Sequence, residues 1–217
     1  MQITRFSRID TVMWPGKYLS VVEVSADDGE TENINEVANI IRGDSDSIDA
    51  ILVQASKGDA ASIPGIHTLI REIRPPHMSV ILVTDGRNPS GMDDLIGASY
   101  VDHVAFRFED VPNADQQKSI AIARINRVDF FAGVLMDPGT MPPEKVLKIA
   151  EMTEGHMEFI LLLPPAPLAC YRKKDLNALA KSLKGKAKGV RVLEDFRRPS
   201  SRGRRPGSAT CCSRSRT

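Results

Sequence analysis

Short apolar runs recur about every thirty residues along this chain, each followed by a helical stripe. The runs cover 19–25, 48–54, 79–84, 101–107, 128–136, 157–163 and a weaker 189–193. They are continuous, as in Ile51-Leu52-Val53 and Val80-Ile81-Leu82-Val83, and do not alternate with polar residues. Such runs fit strands covered on both faces in a parallel sheet. Between them, Ile66, Leu69, Ile70 and Ile73 complete an i, i+3, i+4, i+7 stripe over 62–74, with Ser62 as the expected N-cap and Pro64 in the first turn. Ile34, Val37 and Ile41 mark a helix over 33–43, and Leu176, Leu179 and Leu183 mark one over 173–184. Asn113 and Gln116 are spaced for a reciprocal cap on 114–126. Thr140, Pro142 and Pro143 open 141–153, and a shorter helix is expected at 91–98.

Six or seven β–α units leave two α/β architectures, a partial (β/α) barrel and a doubly wound sheet. Both place ligands beyond the carboxyl ends of the strands. That rule selects Lys57 and Asp59, then Asp85, Arg87 and Asn88, then Arg107 and Glu109, and finally Asp137 as candidate ligand-binding residues. Lys57, Arg87 and Arg107 together suit a phosphate or carboxylate, arginine being the better bidentate partner. The competing reading pairs Asp85 with Lys57, or Glu109 with Arg107, as ordinary rim ion pairs. No glycine-rich phosphate loop of the G-x-G-x-x-G or G-x4-G-K-[ST] form occurs. Asp27, Asp28, Glu30 and Glu32 crowd the loop after the first run, but their spacing is not that of an EF-hand, and a solvated acidic loop is the preferred reading. The four histidines have no metal-binding spacing, and His103 falls inside a strand as a core or lining residue. Trp14, the single tryptophan, is expected to plug the bottom of a barrel.

Charge divides the chain. Seven of the 29 bases but only one of the 28 acids lie from Asp195 onward, so 195–217 carries +6 and 1–194 carries −5. An acidic body argues against a nucleic-acid-binding core. The tail is rich in Arg, Ser, Gly and Pro and nearly devoid of apolar residues, so disorder is expected there. A non-functional extension is preferred over a basic nucleic-acid-binding arm. The domain reading is therefore one (β/α) domain over 1–194 and a tail over 195–217. Met1-Gln2-Ile3-Thr4-Arg5 lacks a signal peptide's apolar segment, and no apolar run approaches the roughly 20 residues of a spanning helix; a cytoplasmic protein with no membrane partner is expected. Cys170, Cys211 and Cys212 make no disulfide framework.

Four segments, in order, carry a resemblance. Thr11-Val12-Met13-Trp14-Pro15-Gly16-Lys17 precedes the first run; Ile48-Asp49-Ala50-Ile51-Leu52-Val53-Gln54 forms the second; Val80-Ile81-Leu82-Val83-Thr84-Asp85-Gly86-Arg87-Asn88-Pro89 and Leu95-Ile96-Gly97-Ala98-Ser99-Tyr100-Val101-Asp102-His103-Val104-Ala105 follow. The succession resembles the radical S-adenosylmethionine activating enzymes of the anaerobic ribonucleotide reductase and pyruvate formate-lyase activase type, over roughly residues 7–165. The resemblance implies a partial (β/α)6-type barrel of parallel strands. It also implies a Cys-x3-Cys-x2-Cys loop after the first strand, holding three irons of a [4Fe–4S] cluster. Residues 25–33 contain no cysteine, and the family's Gly-Gly-Glu-Pro position reads Ala55-Ser56-Lys57-Gly58. Hard oxygen donors do not replace thiolates on such a cluster. The expectation is a degenerate member with no [4Fe–4S] cofactor: an inactive scaffold with a binding or regulatory role toward a protein partner, or a relict of an activating protein. The alternative is a repurposed enzyme or binder of a small anionic ligand at the strand ends.

Overall fold

The computed structural model describes residues 1–11, 14, 16–27, 31–135, 141–162 and 173–193. Eight strands form one sheet in sequential order: β1 (Gln2–Asp10), β2 (Leu19–Ser25), β3 (Ala50–Ala55), β4 (Ser79–Thr84), β5 (His103–Phe106), β6 (Asp129–Leu135), β7 (Glu158–Leu162) and β8 (Gly189–Leu193). Six helices alternate with them: α1 (Ile34–Gly43), α2 (Ile66–Ile73), α3 (Pro89–Gly97), α4 (Ala114–Ile125), α5 (Pro143–Met152) and α6 (Lys173–Leu183). From β2 to β8 every neighbouring pair is parallel. The chain is thus a mixed α/β fold of the partial-barrel kind, one of the two architectures that the apolar runs leave open. The tail expectation lies outside the described residues, as does Asp137.

Apolar faces on both sides of the sheet explain the continuous runs. Val22, Val24, Ile51, Val53, Val80, Leu82, Val104 and Ala132 point to the helices, whose buried stripes, such as Ile66, Leu69, Ile70 and Ile73, cover them. Leu19, Val21, Leu52, Ile81, Val83, Ala105, Phe131 and Ile160 form a second, inner cluster. One cluster drawing on β2 through β7 requires the sheet to curl, as in a barrel. Trp14 packs against this cluster, 5.4 Å from the Phe131 ring and edge-on to His103 at 5.1 Å. His103 opens β5, so the indole fills the end of the barrel nearest the strand N-termini, where the sequence predicts a plug.

Two expectations need correcting. β1, which pairs antiparallel with β2, is absent from the sequence reading. It is an edge strand of mixed polarity, and a register irregularity between Ile3 and Arg5 breaks its alternation, so no apolar run marks it. The second is the start of α2. Ser62 lies in a short 3-10 turn, Ala60–Ser62, and the N-cap is Gly65 with φ +80°, a left-handed conformation that favours glycine. Asn113 and Gln116 do form the reciprocal cap on α4.

Candidate functional site

The carboxyl ends of β2 to β5 position the charged residues. Side chains two apart on a strand share a face. Following Leu19 and Val21, Glu23 therefore points inward. By the same alternation, Gln54 follows Ala50 and Leu52, and Arg107 follows Ala105 just beyond β5. These three side chains meet. Arg107 Nη2 donates to Gln54 Oε1 at 2.5 Å, reaching over β4, and Gln54 Nε2 donates to Glu23 Oε2 at 3.2 Å. Loss of water in the mouth lowers the Arg107 pKa, and the Glu23 charge works the other way. Among the described residues Arg107 has no carboxylate within ion-pair distance: one of its five N–H donors goes to a neutral amide.

The other predicted residues separate into two groups. Arg87 gathers the acids: its Nε lies 3.5 Å from Asp85 Oδ2 and its Nη2 3.7 Å from Glu109 Oε2. Asp85 Oδ1 also accepts from the Arg87 amide at 2.9 Å. The rim pairs are therefore neither Asp85 with Lys57 nor Glu109 with Arg107, because the turn after β4 folds Arg87 back onto its own strand end. α4 holds that turn in place. Gln116 Nε2 donates to the Asp85 carbonyl at 2.7 Å and Ser119 Oγ to the Gly86 carbonyl at 2.7 Å. Lys57 is exposed and makes no hydrogen bond or ion pair among the described residues.

Asp59 and Asn88 serve the scaffold. Asp59 is buried as the N-cap of the 3-10 turn, accepting from the Ala61 amide at 3.2 Å, while its Oδ2 lacks a well-formed hydrogen bond. Burial pushes its carboxyl pKa up, against the Thr84 hydroxyl and the Ala61 and Asp85 amides, which pull it down; the Asp85 charge adds to the rise. Asn88 caps α3, accepting from the Gly91 amide at 3.1 Å and donating to the Ala61 carbonyl at 3.0 Å. α3 accordingly begins at Pro89, two residues before the predicted start. Neither side chain lines the mouth. Glu23 and Gln54, which the sequence reading passed over, do. Strand alternation past Val21 and Leu52 was the available signal.

The loop between β2 and α1 is the place where the resemblance implies a cluster. Its described side chains beyond the strand are Asp27, Thr31, Glu32 and Asn33, with Ala26, while Asp28 and Glu30 lie outside the described residues. The sequence supplies no thiol between 25 and 33, so the donor set does not fit a [4Fe–4S] cluster. The Glu32 amide is committed to the Ile3 carbonyl at 2.8 Å and the Asp27 amide to Ser25 Oγ at 3.0 Å. Among the described residues no three His, Cys, Asp or Glu side chains converge as they would around a metal ion. A cleft of about 480 Å³ lies elsewhere, between the start of α2 and α3, and holds none of the predicted residues.

No protein-family model matches the chain, and no curated protein matches its sequence. Solved structures do resemble it. SuiB from Streptococcus suis bound to its precursor peptide SuiA aligns with a TM-score of 0.58 at 10% identity, over 78% of this chain and 44% of SuiB. SuiB bound to S-adenosylmethionine aligns at 0.55 with 11% identity, over 78% and 45%. The chain thus spans less than half of SuiB. No helix among the described residues is long and apolar enough to cross a membrane. At these identities the likeness is one of fold alone, the mixed α/β partial barrel described above.

Proposed function

We propose that this chain is a radical-SAM-like scaffold that performs no cluster chemistry and binds a small anion at the mouth of its partial barrel, as a cytoplasmic binding or regulatory protein descended from a glycyl-radical activating enzyme. One observation carries the reading: the Arg107 guanidinium, exposed at the mouth, donates to the neutral Gln54 amide and meets no carboxylate among the described residues. A guanidinium without a counter-charge keeps its fork of donors for a carboxylate or phosphate, which it grips bidentately. Arg107 supplies the hydrogen-bonding fork, and Lys57, exposed just beyond β3 and without a partner among the described residues, supplies a second positive charge. The lost thiolates and the replacement of the Gly-Gly-Glu-Pro acid by Lys57 act in one direction, away from iron–sulfur chemistry and toward anions.

The test is a thermal-shift screen of carboxylates, phosphates and nucleotides. A ligand held only by the folded state raises the melting temperature, by an amount that grows with concentration over Kd. At least one anion is expected to raise it, and Arg107→Ala to remove the shift. Hits that survive both Arg107→Ala and Lys57→Ala overturn the assignment.

A further inference from the structure

Glu23 and Gln54 occupy the centre of the mouth, and their geometry narrows what Arg107 can accept. Resting on the anion-binding reading above, we infer that they form a relay that orients Arg107 and sets the site for a singly charged carboxylate rather than a doubly charged anion. A glutamine amide has two faces, a carbonyl acceptor and an NH2 donor. Here Glu23 Oε2 accepts from Gln54 Nε2, which leaves Oε1 as the only face toward β5. Arg107 Nη2 donates to that oxygen at 2.5 Å, so the plane of the guanidinium is fixed by a bond to a neutral group. The positive charge stays available, and among the described residues no other acceptor takes the remaining N–H donors, which suit a planar, two-oxygen acceptor.

Glu23 then decides the ligand charge. It faces Arg107 through Gln54 closely enough to favour the charged guanidinium. With Arg107 and Lys57 positive and Glu23 negative, a monoanion balances the site, whereas a dianion leaves excess negative charge beside Glu23. The other charged groups at this level act weakly. Arg5, opposite Glu23 in the β1–β2 register, is exposed on the edge strand, and water and salt screen it. Asp85 is half-buried and paired with Arg87, which offsets its negative charge at the site. Gln54 is on this account a positioning residue, and Glu23 determines specificity.

Isothermal titration calorimetry of the full chain with propionate and with sulfate separates these roles. Wild type is expected to bind propionate more tightly than sulfate. Glu23→Gln is expected to shift the ratio toward sulfate about tenfold, and Glu23→Asp, which keeps the charge, to restore the wild-type preference. Gln54→Met is expected to weaken both probes about tenfold with the melting temperature preserved. Gln54→Glu, which hands Arg107 a carboxylate, is expected to block propionate altogether. An unchanged propionate-to-sulfate ratio in Glu23→Gln overturns the inference while leaving the anion site standing, provided Arg107→Ala still abolishes binding. Failure of wild type to bind either probe removes the anion reading, and the relay with it.

Discussion

Replacing Arg74 with methionine tests how the amino-terminal end of the barrel is held together. Arg74 follows α2, and its guanidinium reaches four backbone or side-chain groups. Nε donates to the Met78 carbonyl at 2.7 Å, Nη1 to the Ser99 carbonyl at 2.9 Å and, at longer range, to Tyr100 at 3.4 Å. Nη2 donates to both carboxylate oxygens of Asp102, at 2.9 and 3.2 Å. Asp102 Oδ2 in turn accepts from the Val80 amide at 2.8 Å, so one cation ties α2, the end of α3 and the start of β4 and β5 together. Methionine keeps most of the aliphatic stem, so the change removes the hydrogen bonds and little packing. The Asp102 pair is partly exposed, with 24% and 36% side-chain accessibility, and is therefore discounted toward a surface pair. The bonds to carbonyls of a half-buried cation count for about 1 kcal/mol each after exchange with water. Together the loss comes to about 3 kcal/mol, a melting temperature lower by about 9 °C in a chain of this size. Urea denaturation followed by circular dichroism measures it. Arg42→Met is the control, since exposed Arg42 holds only Asn39 and the Glu72 carbonyl, and its loss is expected to stay below about 1 kcal/mol. Equal losses in the two variants would refute the clamp.

Three further outcomes follow from particular contacts. A Cβ on Gly91 would stand 2.3 Å from the Ala61 carbonyl oxygen, so Gly91→Ala should destabilise by about 1–3 kcal/mol in thermal melts, and a neutral effect would contradict the packing of α3 on the 3-10 turn. Burial lowers the His103 pKa, with Asp102 and Asp129 opposing and Lys188 and Lys17 assisting. The folded state therefore takes up the proton less readily than the unfolded chain. Stability is full above the ordinary histidine range and falls as pH drops through it toward the lowered folded value. Trp14 fluorescence, read beside that ring, should titrate with a midpoint below about 6.5, and a midpoint above it would count against the buried placement. Asp59 has the opposite sign: its raised carboxyl pKa makes stability fall as pH climbs out of the ordinary carboxylate range through the folded value. Asp59→Asn should leave the protein as stable or more stable at neutral pH in urea melts, and a clear loss there would show that the ionised carboxylate is needed.

The layered fold was legible because burial on both faces of a parallel sheet leaves unbroken apolar runs, and β2 and β4 lie where those runs do. β1 was illegible for the complementary reason: at an edge, Arg5 and Arg8 remain in water and only Ile3 is fully buried. At the site, the rule that ligands lie beyond strand ends pointed to Arg107 and Lys57. It could not foresee that Asp59 would turn inward to cap a 3-10 turn or that Arg87 would take both neighbouring acids, since those outcomes depend on loop conformation. Glu23 and Gln54 were hidden within strands that read as core. A polar residue inside a continuous apolar run, at even spacing from inward-facing neighbours, is the mark that identifies such a lining.

Anaerobic reconstitution with iron and sulfide, followed by iron quantification, absorbance and a reductive S-adenosylmethionine cleavage assay, addresses the proposed loss of cluster chemistry directly. The expected result is no stoichiometric iron retained after desalting and no 5′-deoxyadenosine formed. One [4Fe–4S] cluster per chain with reductive cleavage of S-adenosylmethionine would contradict the account.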